Sequence, residues 1–459
     1  MNPGLRVDPA LPHLPQALDA EAMGRTFGEL LQPHGAVVEG CDIERIKYRP
    51  QRNCSLSYRL RLRDAQGRTL PEQRVAARLC SGDGGPRAMR AARRPLQASA
   101  AGPALQWLPA LDMLTWWWPN DAKLAAPRVL ADEVLLRTRV LPPVVAALGG
   151  GRAEGLTARV ELVQYVPESR LTARVHLAWS AQGRRHAQCV YAKASLAPEA
   201  AQVHGLLRAL QHSAAWQAGR LRTPQALLWQ PDFGLHWQTE LPGTPLLELA
   251  RAGLGATGPT LAQRLGAQLA ELHALPLPQA RPPADLPARL AEVVAGLGLA
   301  LPDQAAALQD LAARLAAGLP ALDGLPLATL HGDLHARNVL VDLQDDLRLG
   351  LIDLDGLQQG PAMLEFGAVV GEGVYRALLE GAAPTRDAAF WQALQQGYAA
   401  AGGARFAGPA LAWATAWSLL TERAWRCVVN LKPGRLALVP ERLALARRLV
   451  QAPSLEALS

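Results

Sequence analysis

The sequence predicts an α+β protein in which a small, mostly antiparallel β part precedes a large helical part, with an additional β-rich subdomain at the N terminus. Short apolar runs separated by turn residues fill residues 151–240, and apolar residues at helical spacing fill residues 241–459. The strand pattern of the first region also occurs once before it. We therefore expect three domains, comprising residues 1–150, 151–240 and 241–459.

The composition is that of an ordinary folded protein with a sizeable core. Of its 459 residues, 49% are hydrophobic, which predicts two or three domains. The N-terminal residues lack an apolar signal core, and no stretch approaches the roughly 18 uncharged apolar residues of a membrane span. We therefore expect a cytoplasmic protein without a membrane partner.

The net charge of +7 is unevenly distributed along the chain. Residues 241–459 contain 17 Lys plus Arg against 20 Asp plus Glu, whereas residues 1–240 contain 30 against 20. A basic half raises the alternative of a nucleic-acid-associated protein. The four arginines of its best patch are Arg87, Arg90, Arg93 and Arg94. The patch has few aromatic residues among its arginines and no nucleic-acid motif is present, so we expect no nucleic-acid partner.

Two segments of the N-terminal half share a pattern, which indicates an internal repeat. Each begins with Tyr-x-Pro, at Tyr48 and Tyr165, and later reaches the tetrapeptide Ala-Gln-Gly-Arg. The strands that follow place Arg78 where the second segment has Lys193. We infer that a degenerate copy of the strands precedes the working copy. The alternative is that two hairpins have converged on a similar composition.

One motif in the C-terminal half carries the chemistry. It reads His331-Gly-Asp333-Leu-His335-Ala-Arg-Asn338, and Asp353 follows in Leu-Ile-Asp-Leu-Asp-Gly. Transfer of a γ-phosphoryl group to a hydroxyl needs Mg²⁺, which prefers hard oxygen ligands, and a group that accepts or orients the hydroxyl proton. Asp353 and the Asn338 carbonyl supply such ligands, and Asp333 supplies the base. The alternative is a polar turn between buried strands with Asp353 at a solvated end.

The flanks of the motif predict strands around a polar loop. Leu327–Leu330 leads into the motif, Val339–Val341 leaves it, and Leu347–Ile352 precedes the second acid. The apolar runs are separated by the turn residues Asp342 to Asp346. We therefore expect the motif to form a loop on a small hairpin.

These residues resemble the motif of the aminoglycoside phosphotransferase and choline kinase group of the protein-kinase-like superfamily. The resemblance implies a two-lobed kinase-like fold that binds ATP and Mg²⁺, with Asp333 as catalytic base and Asn338 and Asp353 as metal ligands. His331 matches a position that orders the loop in that group. The chain departs from the pattern after Asp353, where the group has an Asp at the start of a helix and this chain has Glu365.

The same resemblance implies nucleotide contacts in residues 151–240 and at their end. Lys193 matches the strand lysine that pairs the α- and β-phosphates, although a lysine that protects a strand edge is the alternative. Glu199 is the only acid of the helix that follows, and it is either the partner of this lysine or a residue that favours the helix dipole. Glu240 and Leu241 match the hinge whose backbone groups contact the adenine.

Residues 151–240 contain no Gly-x-Gly-x-x-Gly loop, and the group that the chain resembles lacks this loop as well. In its place, residues 165–172 join two strand-like runs, and Ser169, Arg170 and Thr172 offer hydrogen-bond donors to phosphate. A plain β-turn is the alternative. Three adjacent tryptophans, Trp116 to Trp118, predict a loop or cap packed on several sides, with a stacking platform for a sugar or base as the alternative.

Downstream of Gly356 the chain reads as helices, which in this group line the acceptor pocket. Glu372, Asp387 and Glu422 are candidates for binding a cationic amine, and the tryptophans of these helices are candidates for stacking on a sugar or an ammonium group. Packing within the core is the alternative for each of them. The sequence does not identify the acceptor.

The resulting prediction is an ATP-dependent phosphotransferase that moves a γ-phosphoryl group to a hydroxyl of a small molecule, such as an aminoglycoside, a sugar or an amino alcohol. A nucleotide-binding kinase-like scaffold without turnover is the main alternative. A nucleic-acid-associated protein that uses the basic N-terminal half is the less favoured one.

Overall fold

A computed structural model of the protein describes residues 7–82, 84, 87, 89, 95–149, 154–432 and 434–459. The chain divides into two compact units. The β unit contains residues 1–201, 227–239 and 428–436, and the helical unit contains residues 202–226, 240–427 and 437–459. The predicted α+β class, with its N-terminal β-rich subdomain and helical C-terminal part, is confirmed. Three of the four arginines of the basic patch, and the predicted domain boundary after residue 150, lie outside the described residues.

The first sheet of the β unit is antiparallel, and its strands follow the order β1-β2-β3-β5-β4. Its strands are β1 (Ala36–Arg49), β2 (Asn53–Asp64), β3 (Thr69–Cys80), β4 (Leu105–Leu108) and β5 (Met113–Trp117). Two helices precede it, α1 (Leu14–Ala17) and α2 (Ala20–Leu31). The ring of Phe27 in α2 packs edge-on against Tyr58 and Trp117, so α2 covers one face of this sheet.

The second sheet has the same strand order, β6-β7-β8-β10-β9, and is also preceded by helices. Its strands are β6 (Glu154–Val166), β7 (Arg170–Ala181), β8 (Arg184–Ser195), β9 (Ala226–Gln230) and β10 (Leu235–Thr239). The preceding helices are α3 (Ala126–Ala131), α4 (Glu133–Leu135) and α5 (Leu141–Ala147), with the π-helical segment Leu136–Val140 before α5. Helices α6 (Ala197–Gln211) and α7 (Ala214–Gln217) connect β8 to β9.

The two sheets agree in register as well as in strand order. Arg78 lies opposite Ser55 of β2 and Leu114 of β5. Lys193 occupies the same place, opposite Thr172 of β7 and His236 of β10. Convergence of two hairpins in composition would not reproduce five strands in one order with one register. The structure therefore supports the predicted repeat, in which Arg78 takes the place of Lys193.

We call the face that carries Arg78 or Lys193 the front of each sheet, and the opposite face its back. Front residues of the first sheet, such as Leu114 and Trp116, belong to one hydrophobic cluster with residues of α3–α5 and back residues of the second sheet, such as Ala192. Because side chains alternate along a strand, Lys193 lies on the front of the second sheet, away from this cluster. The two copies are therefore stacked front to back.

The three adjacent tryptophans do not form the loop that the sequence predicts. Trp116 and Trp117 lie in β5, and both are buried. Trp116 belongs to the cluster on the front of the first sheet, whereas Trp117 contacts Phe27 on its back. Trp118 follows the strand and packs edge-on against Tyr165. The expectation of a loop was wrong, whereas the expected packing on several sides holds, because both faces of this sheet are covered and neighbouring strand residues bury large side chains in opposite directions.

The helical unit contains two small antiparallel sheets, of orders β11-β13-β14 and β12-β15. Their strands are β11 (Thr244–Pro245), β12 (Leu327–Leu330), β13 (Val339–Asp342), β14 (Arg348–Leu351) and β15 (Gln358–Pro361). The helices of the C-terminal half are α8 (Leu246–Ala252), α9 (Gly258–His273), α10 (Leu286–Ala300), α11 (Ala305–Gly318), α12 (Ala362–Leu379), α13 (Ala388–Ala400), α14 (Gly408–Ser418), α15 (Trp425–Asn430) and α16 (Val439–Gln451). The π-helical segment Leu419–Ala424 joins α14 to α15.

Helix α9 packs closely against α13, and both contribute a glycine to the contact. A Cβ added to Gly266 would lie 2.1 Å from the carbonyl oxygen of Leu394, and one added to Gly397 would lie 2.0 Å from that of Gln263. Only glycine therefore allows the two backbones to approach this closely. None of the helices that the structure describes is long and apolar enough to cross a membrane.

Candidate active site

The predicted motif forms a loop between β12 and the hairpin β13–β14, as the flanking strands imply. The backbone N–H of Ile352 donates to the carbonyl oxygen of Asn338 over 2.9 Å, so the hairpin ladder continues one pair beyond Val339 and Leu351. Asn338 and Asp353 therefore lie at the same end of the hairpin. The side-chain amide of Asn338 donates to the carbonyl oxygen of Asp333 over 3.0 Å, which ties the third motif residue to the same place. The structure thus brings together the three predicted residues Asp333, Asn338 and Asp353.

The backbone at Asp353 is left-handed, with φ of 61°. This conformation is uncommon for a residue other than glycine, although aspartate tolerates it better than most. It turns the chain from β14 into the short 3₁₀ turn Leu354–Gly356. The buried ring of His331 reaches the carbonyl oxygen of Ile352 through Nε2, at 2.9 Å. His331 therefore links the first half of the motif to the residue before the second acid, which fits the ordering role that the resemblance implies.

Gly332 allows the loop to contact the 3₁₀ turn directly. Its φ is +80°, and a Cβ at this position would lie 2.1 Å from the carbonyl oxygen of Gly356. Any side chain would push the two segments apart. The glycine of the motif thus keeps Asp333 close to the turn that follows Asp353.

The buried carboxylate of Glu365 in α12 accepts hydrogen bonds from the backbone of the loop. Its Oε2 accepts from the backbone N–H of His331 over 3.1 Å, and its Oε1 accepts from that of Gly332 over 3.0 Å. Full burial by itself raises the pKa of Glu365, but the hydrogen bonds and charge of His273 and His331 outweigh burial and lower it. Glu365 stands where the resembling group has an aspartate at the start of a helix. Its side chain fixes the backbone immediately before Asp333.

Two further buried residues orient Glu365. Nε2 of His273 lies 2.8 Å from Oε2 of Glu365, and Nδ1 of His273 lies 2.9 Å from the hydroxyl of Tyr398. Burial, and to a lesser extent the charge of Glu365, raise the pKa of Tyr398 to about 12. Neither His273 nor Tyr398 was identified from the sequence as a partner of Glu365. Residues this far apart in sequence meet only through the packing of α9, α12 and α13.

The catalytic-base candidate is paired with an arginine that the sequence did not reveal. Nη2 of Arg426 donates to Oδ1 of Asp333 over 2.9 Å. Burial favours the protonated acid, but the charge and hydrogen bond of Arg426 prevail, so the pKa of Asp333 is lowered below its ordinary value. Burial lowers the pKa of the neighbouring His335. At neutral pH the carboxylate is therefore ionised and the imidazole is uncharged.

The predicted metal ligands fit Mg²⁺ in their chemistry. A carboxylate and an amide oxygen at one end of a hairpin are hard ligands, and Mg²⁺ commonly takes only one or two protein oxygens together with waters and substrate phosphates. Among the residues that the structure describes, no group of three or more His, Cys, Asp and Glu side chains could hold a metal ion by itself. Asp353 and Asn338 would thus act together with the nucleotide rather than as a closed protein site.

The acids that the sequence offered for a cationic amine are already paired with arginines. Oε2 of Glu372 lies 2.7 Å from Nη1 of the buried Arg423, and Oε2 of Glu422 lies 3.1 Å from its Nη2. Oδ2 of Asp387 lies 3.2 Å from Nη2 of Arg376. A cationic ligand would have to displace these partners.

The tryptophans that were candidates for stacking on a ligand are largely buried. Trp391 and Trp417 are core residues, and the ring of Trp391 packs against Gly373. Trp417 stacks on Trp413, with ring centroids 5.5 Å apart. This arrangement favours the alternative that the sequence left open, in which these rings pack the core.

The other predicted nucleotide contacts lie in β8, in α6 and directly after β10. Lys193 is buried in β8, and Glu199 is exposed in the first turn of α6. Glu240 and Leu241 follow β10, and the side chain of Leu241 lies over Gly350 of β14. Their roles in nucleotide binding, and the pairing of Glu199 with Lys193, stay predictions.

Comparison with known proteins identifies the family of this chain. The family model described as "Phosphotransferase enzyme family" matches residues 152–406. This match begins at the second sheet and includes Lys193 and the whole motif. No curated protein is similar enough in sequence to count as a match.

Several solved structures are similar to the chain. Aminoglycoside phosphotransferase APH(3'')-Id from Streptomyces rimosus is 20% identical over 62% of this chain and 98% of its own, with a TM-score of 0.39. A choline/ethanolamine kinase family protein from Mesorhizobium loti is 17% identical over 66% and 92%, with a TM-score of 0.44. Macrolide 2'-phosphotransferase MphH from Brachybacterium faecium is 19% identical over 68% and 96%, with a TM-score of 0.40. The family match covers more than half of the chain and agrees with the motif, and the chain therefore belongs to the phosphotransferase enzyme family.

Proposed function

We propose that the protein transfers the γ-phosphoryl group of ATP, in the presence of Mg²⁺, to a hydroxyl group of a small molecule. The observation that carries this proposal is the convergence of Asp333, Asn338 and Asp353 at one end of the β13–β14 hairpin. Such a set of one base and two oxygen ligands is what phosphoryl transfer requires of a protein. The buried carboxylate of Glu365 accepts hydrogen bonds from the backbone of His331 and Gly332 and so fixes the loop that carries Asp333.

In the proposed reaction, the acceptor hydroxyl lies against Asp333. As its oxygen attacks the γ-phosphorus, a new O–P bond forms, the bond to the bridging oxygen of ADP breaks, and the hydroxyl proton passes to the Asp333 carboxylate. When bound, Mg²⁺ neutralises phosphate oxygens, and Asn338 and Asp353 are the residues that would hold it. Lys193 would hold the α- and β-phosphates.

Arg426 acts on the carboxylate of Asp333 rather than on the phosphate in this proposal. Its hydrogen bond leaves Oδ2 of Asp333 to receive the hydroxyl proton and keeps the side chain in one orientation. The lowered pKa of Asp333 makes it a weaker base. The fixed orientation of the carboxylate, and its ionisation before the reaction begins, compensate for that loss, because a metaphosphate-like transition state needs little proton removal before the O–P bond forms.

The charges around Asp333 favour an uncharged acceptor. Arg426 lies directly against the base, and the acids Glu372 and Glu422 are paired with Arg423. A cationic amine would be repelled by these arginines or would have to break their ion pairs, both of which cost free energy in a partly buried site. Of the three acceptor classes predicted from the sequence, we therefore favour a sugar over an aminoglycoside or an amino alcohol.

A screen of acceptors with Mg-ATP tests the function and the acceptor class together. We expect a phosphorylated product from at least one sugar, with a higher kcat/KM than its 2-amino counterpart. Asp333→Asn should lower kcat by about 100- to 10,000-fold, because it removes the proton acceptor. Asp345→Asn, an exposed substitution in the turn of the same hairpin, is the matched control and should stay within about twofold of the parent.

The outcomes separate the alternatives. Product formation that survives Asp333→Asn would contradict the assignment of the base. Calorimetric uptake of Mg-ATP without product from any sugar, aminoglycoside, amino alcohol or nucleoside would identify the scaffold without turnover. A preference for amino sugars over neutral ones would contradict the acceptor class alone.

A further inference from the structure

A buried carboxylate from the linker between the two sheets holds the tip of the hairpin β6–β7. Oδ2 of Asp121 accepts from the hydroxyl of Tyr165 over 2.6 Å and from the backbone N–H of Glu168 over 2.9 Å. Its Oδ1 accepts from the backbone N–H groups of Lys123 and Leu124, over 2.7 and 2.8 Å. Both oxygens of Asp121 are thus fully engaged, and they tie residues 166–169, the β6–β7 turn, to the segment before α3.

The first copy contains the same arrangement. Oδ2 of Asp8 accepts from the hydroxyl of Tyr48 over 2.8 Å and from the backbone N–H of Gln51 over 2.7 Å, and its Oδ1 accepts from Ala10. Gln51 and Glu168 also share a left-handed backbone, with φ of 57° and 61°. The carboxylate at the hairpin tip therefore belongs to the repeated unit and is not an accident of one loop.

The two tips differ in the side chain at the left-handed position. Gln51 is exposed, whereas Glu168 is buried. The Glu168 carboxylate forms an ion pair with Arg78, and its Oε2 lies 3.6 Å from Nζ of Lys123. A left-handed conformation costs a residue with a side chain on the order of 1–2 kcal/mol, and it persists where surrounding contacts determine it. In the second copy those contacts come from residues of the first copy and the linker.

Further positive charge from the first copy lies close to this turn. Lys47 of β1 lies opposite Ser55, which in turn lies opposite Arg78, so these side chains share the front of the first sheet. Burial lowers the pKa of Lys47, the charges of Arg49, Arg170 and Lys123 lower it further, and the charge of Glu199 opposes them. The front of the first copy therefore carries the basic side chains of Lys47 and Arg78, and Arg78 forms the ion pair with Glu168 in the turn.

We propose that the first copy and the linker that follows it position ATP, in that Arg78 of the first copy, with Asp121 and Lys123 of the linker, holds the β6–β7 turn in the conformation that covers the triphosphate. This proposal rests on the proposed function, because it takes the β6–β7 turn to lie over bound phosphates in place of a glycine-rich loop. Arg78 stands at the position of the first copy that is equivalent to Lys193 in the second. It forms its ion pair with Glu168 in the β6–β7 turn of the second copy. It is a positioning residue and does not contact the nucleotide.

Paired substitutions in the two copies test the proposal, with Asp121→Asn and Arg78→Gln against the matched control Asp8→Asn. The first readout is hydrogen exchange of the backbone amides of Glu168 and Ser169, and the second is the calorimetric Kd of Mg-ATP. If a substitution leaves the β6–β7 turn in its binding conformation for only about a tenth of the time, the apparent Kd of Mg-ATP rises about 10-fold. We expect this rise, with faster exchange in the turn, for Asp121→Asn and Arg78→Gln.

Asp8→Asn should loosen only residues 49–52 of the first copy and leave the Kd of Mg-ATP within about twofold of the parent. Arg78→Lys, which keeps a charge near Glu168, should recover part of the affinity lost in Arg78→Gln. Turnover separates positioning from a general loss of structure, because the KM for ATP should rise while kcat stays within about twofold of the parent. Arg78→Gln, a partly exposed substitution, provides the test if Asp121→Asn does not fold.

Three results would overturn the proposal in different ways. Unchanged exchange at Glu168 and Ser169 in Arg78→Gln would show that the first copy does not hold the turn. Faster exchange with an unchanged Kd would show that the turn does not act on the nucleotide, and it would leave phosphoryl transfer itself intact. An equal loss of affinity in Asp8→Asn would assign the effect to general stability. Failure of the proposed function appears separately, as absent product from an enzyme that binds Mg-ATP.

Discussion

The two sheets of the β unit have the same strand order, the same register and the same carboxylate at the tip of their first hairpin, yet they differ in what their front faces contact. The front of the first sheet contributes Leu114 and Trp116 to the cluster that it shares with the second copy. The front of the second sheet, with Lys193, lies away from that cluster. The difference teaches that packing, rather than topology, distinguishes the two copies, and that it would decide which of them can take part in the proposed function.

The residue at the equivalent strand position reflects this difference. Arg78 is about one quarter exposed and pairs with Glu168 of the neighbouring copy, which suits a planar guanidinium. Lys193 presents a compact charge, which suits a polyphosphate. The same backbone position thus serves structure in one copy and is proposed to serve ligand binding in the other.

The largest difference between the two copies is expected in kcat/KM for ATP, when Lys193 or Arg78 is substituted. Lys193→Gln removes the charge that is proposed to hold the phosphates and should lower kcat/KM for ATP by about 100-fold or more. Arg78→Gln should lower it by about 10-fold, through KM alone. Steady-state assays of ADP release at varied ATP concentrations measure both. Equal losses in kcat for the two variants would erase the distinction between the copies.

A smaller effect, on stability, is expected at Glu365. This residue accepts hydrogen bonds from backbone N–H groups of a loop in the helical unit, as Asp8 and Asp121 do in the β unit. Glu365→Gln should lower the free energy of unfolding at pH 7 by about 1.5–3 kcal/mol, because one of the N–H groups of His331 and Gly332 loses its acceptor and the other keeps only an uncharged one. The exposed Glu441→Gln serves as control and should change it by less than about 0.5 kcal/mol.

The effect at Glu365 should depend on pH in a defined direction. The folded-state pKa of Glu365 is lowered from its ordinary value of 4.5, so its stabilisation is fully present above pH 4.5 and is lost as the pH falls below it. The difference between parent and Glu365→Gln should therefore be constant from pH 6 to 8 and shrink in acid. Urea unfolding at pH 7 and pH 4 checks this, and a difference that grows in acid would contradict it.

The smallest effects are expected from the tyrosines at the hairpin tips. Tyr48→Phe and Tyr165→Phe each remove one hydroxyl that donates to a buried aspartate, and each should cost about 1–2 kcal/mol of stability. Only Tyr165→Phe should also weaken the binding of Mg-ATP, by about twofold. Thermal unfolding and calorimetry on the matched pair measure both quantities. A larger loss of affinity in Tyr48→Phe would reverse the roles assigned to the two copies.

The sequence predicted those parts of the site that depend on short spacings. Asp333, Asn338 and Asp353 lie on one loop and its hairpin, so the strand pattern around them was sufficient to bring them together. The repeat was also readable, because the spacings nearly match: Tyr48 to Ala65 and Tyr165 to Ala181 span 17 and 16 residues, and Ala65 to Arg78 and Ala181 to Lys193 span 13 and 12. The interpretation of Trp116 to Trp118 failed, because burial on both faces of a strand depends on what covers each face.

The parts that the sequence did not reveal depend on tertiary packing. His273 meets Glu365 across 92 residues, and Arg426 meets Asp333 across 93. No local pattern marks a buried histidine or a helix-end arginine as a partner of a distant acid. Asp8 and Asp121 share only a short Asp-x-x-Leu context, which is too common in proteins to indicate a repeated turn contact.

Front-to-back stacking gives the β unit a direction along the chain. Each sheet added in this manner would bury the front face of the sheet before it, whatever residues that face carried. A tandem array of such sheets could therefore retain only one phosphate-binding member, and that member would be the one adjoining the segment that leads to Glu240. This mode of stacking accounts for an arginine at the equivalent position of the earlier sheet, where it forms an ion pair with Glu168 of the sheet that covers it.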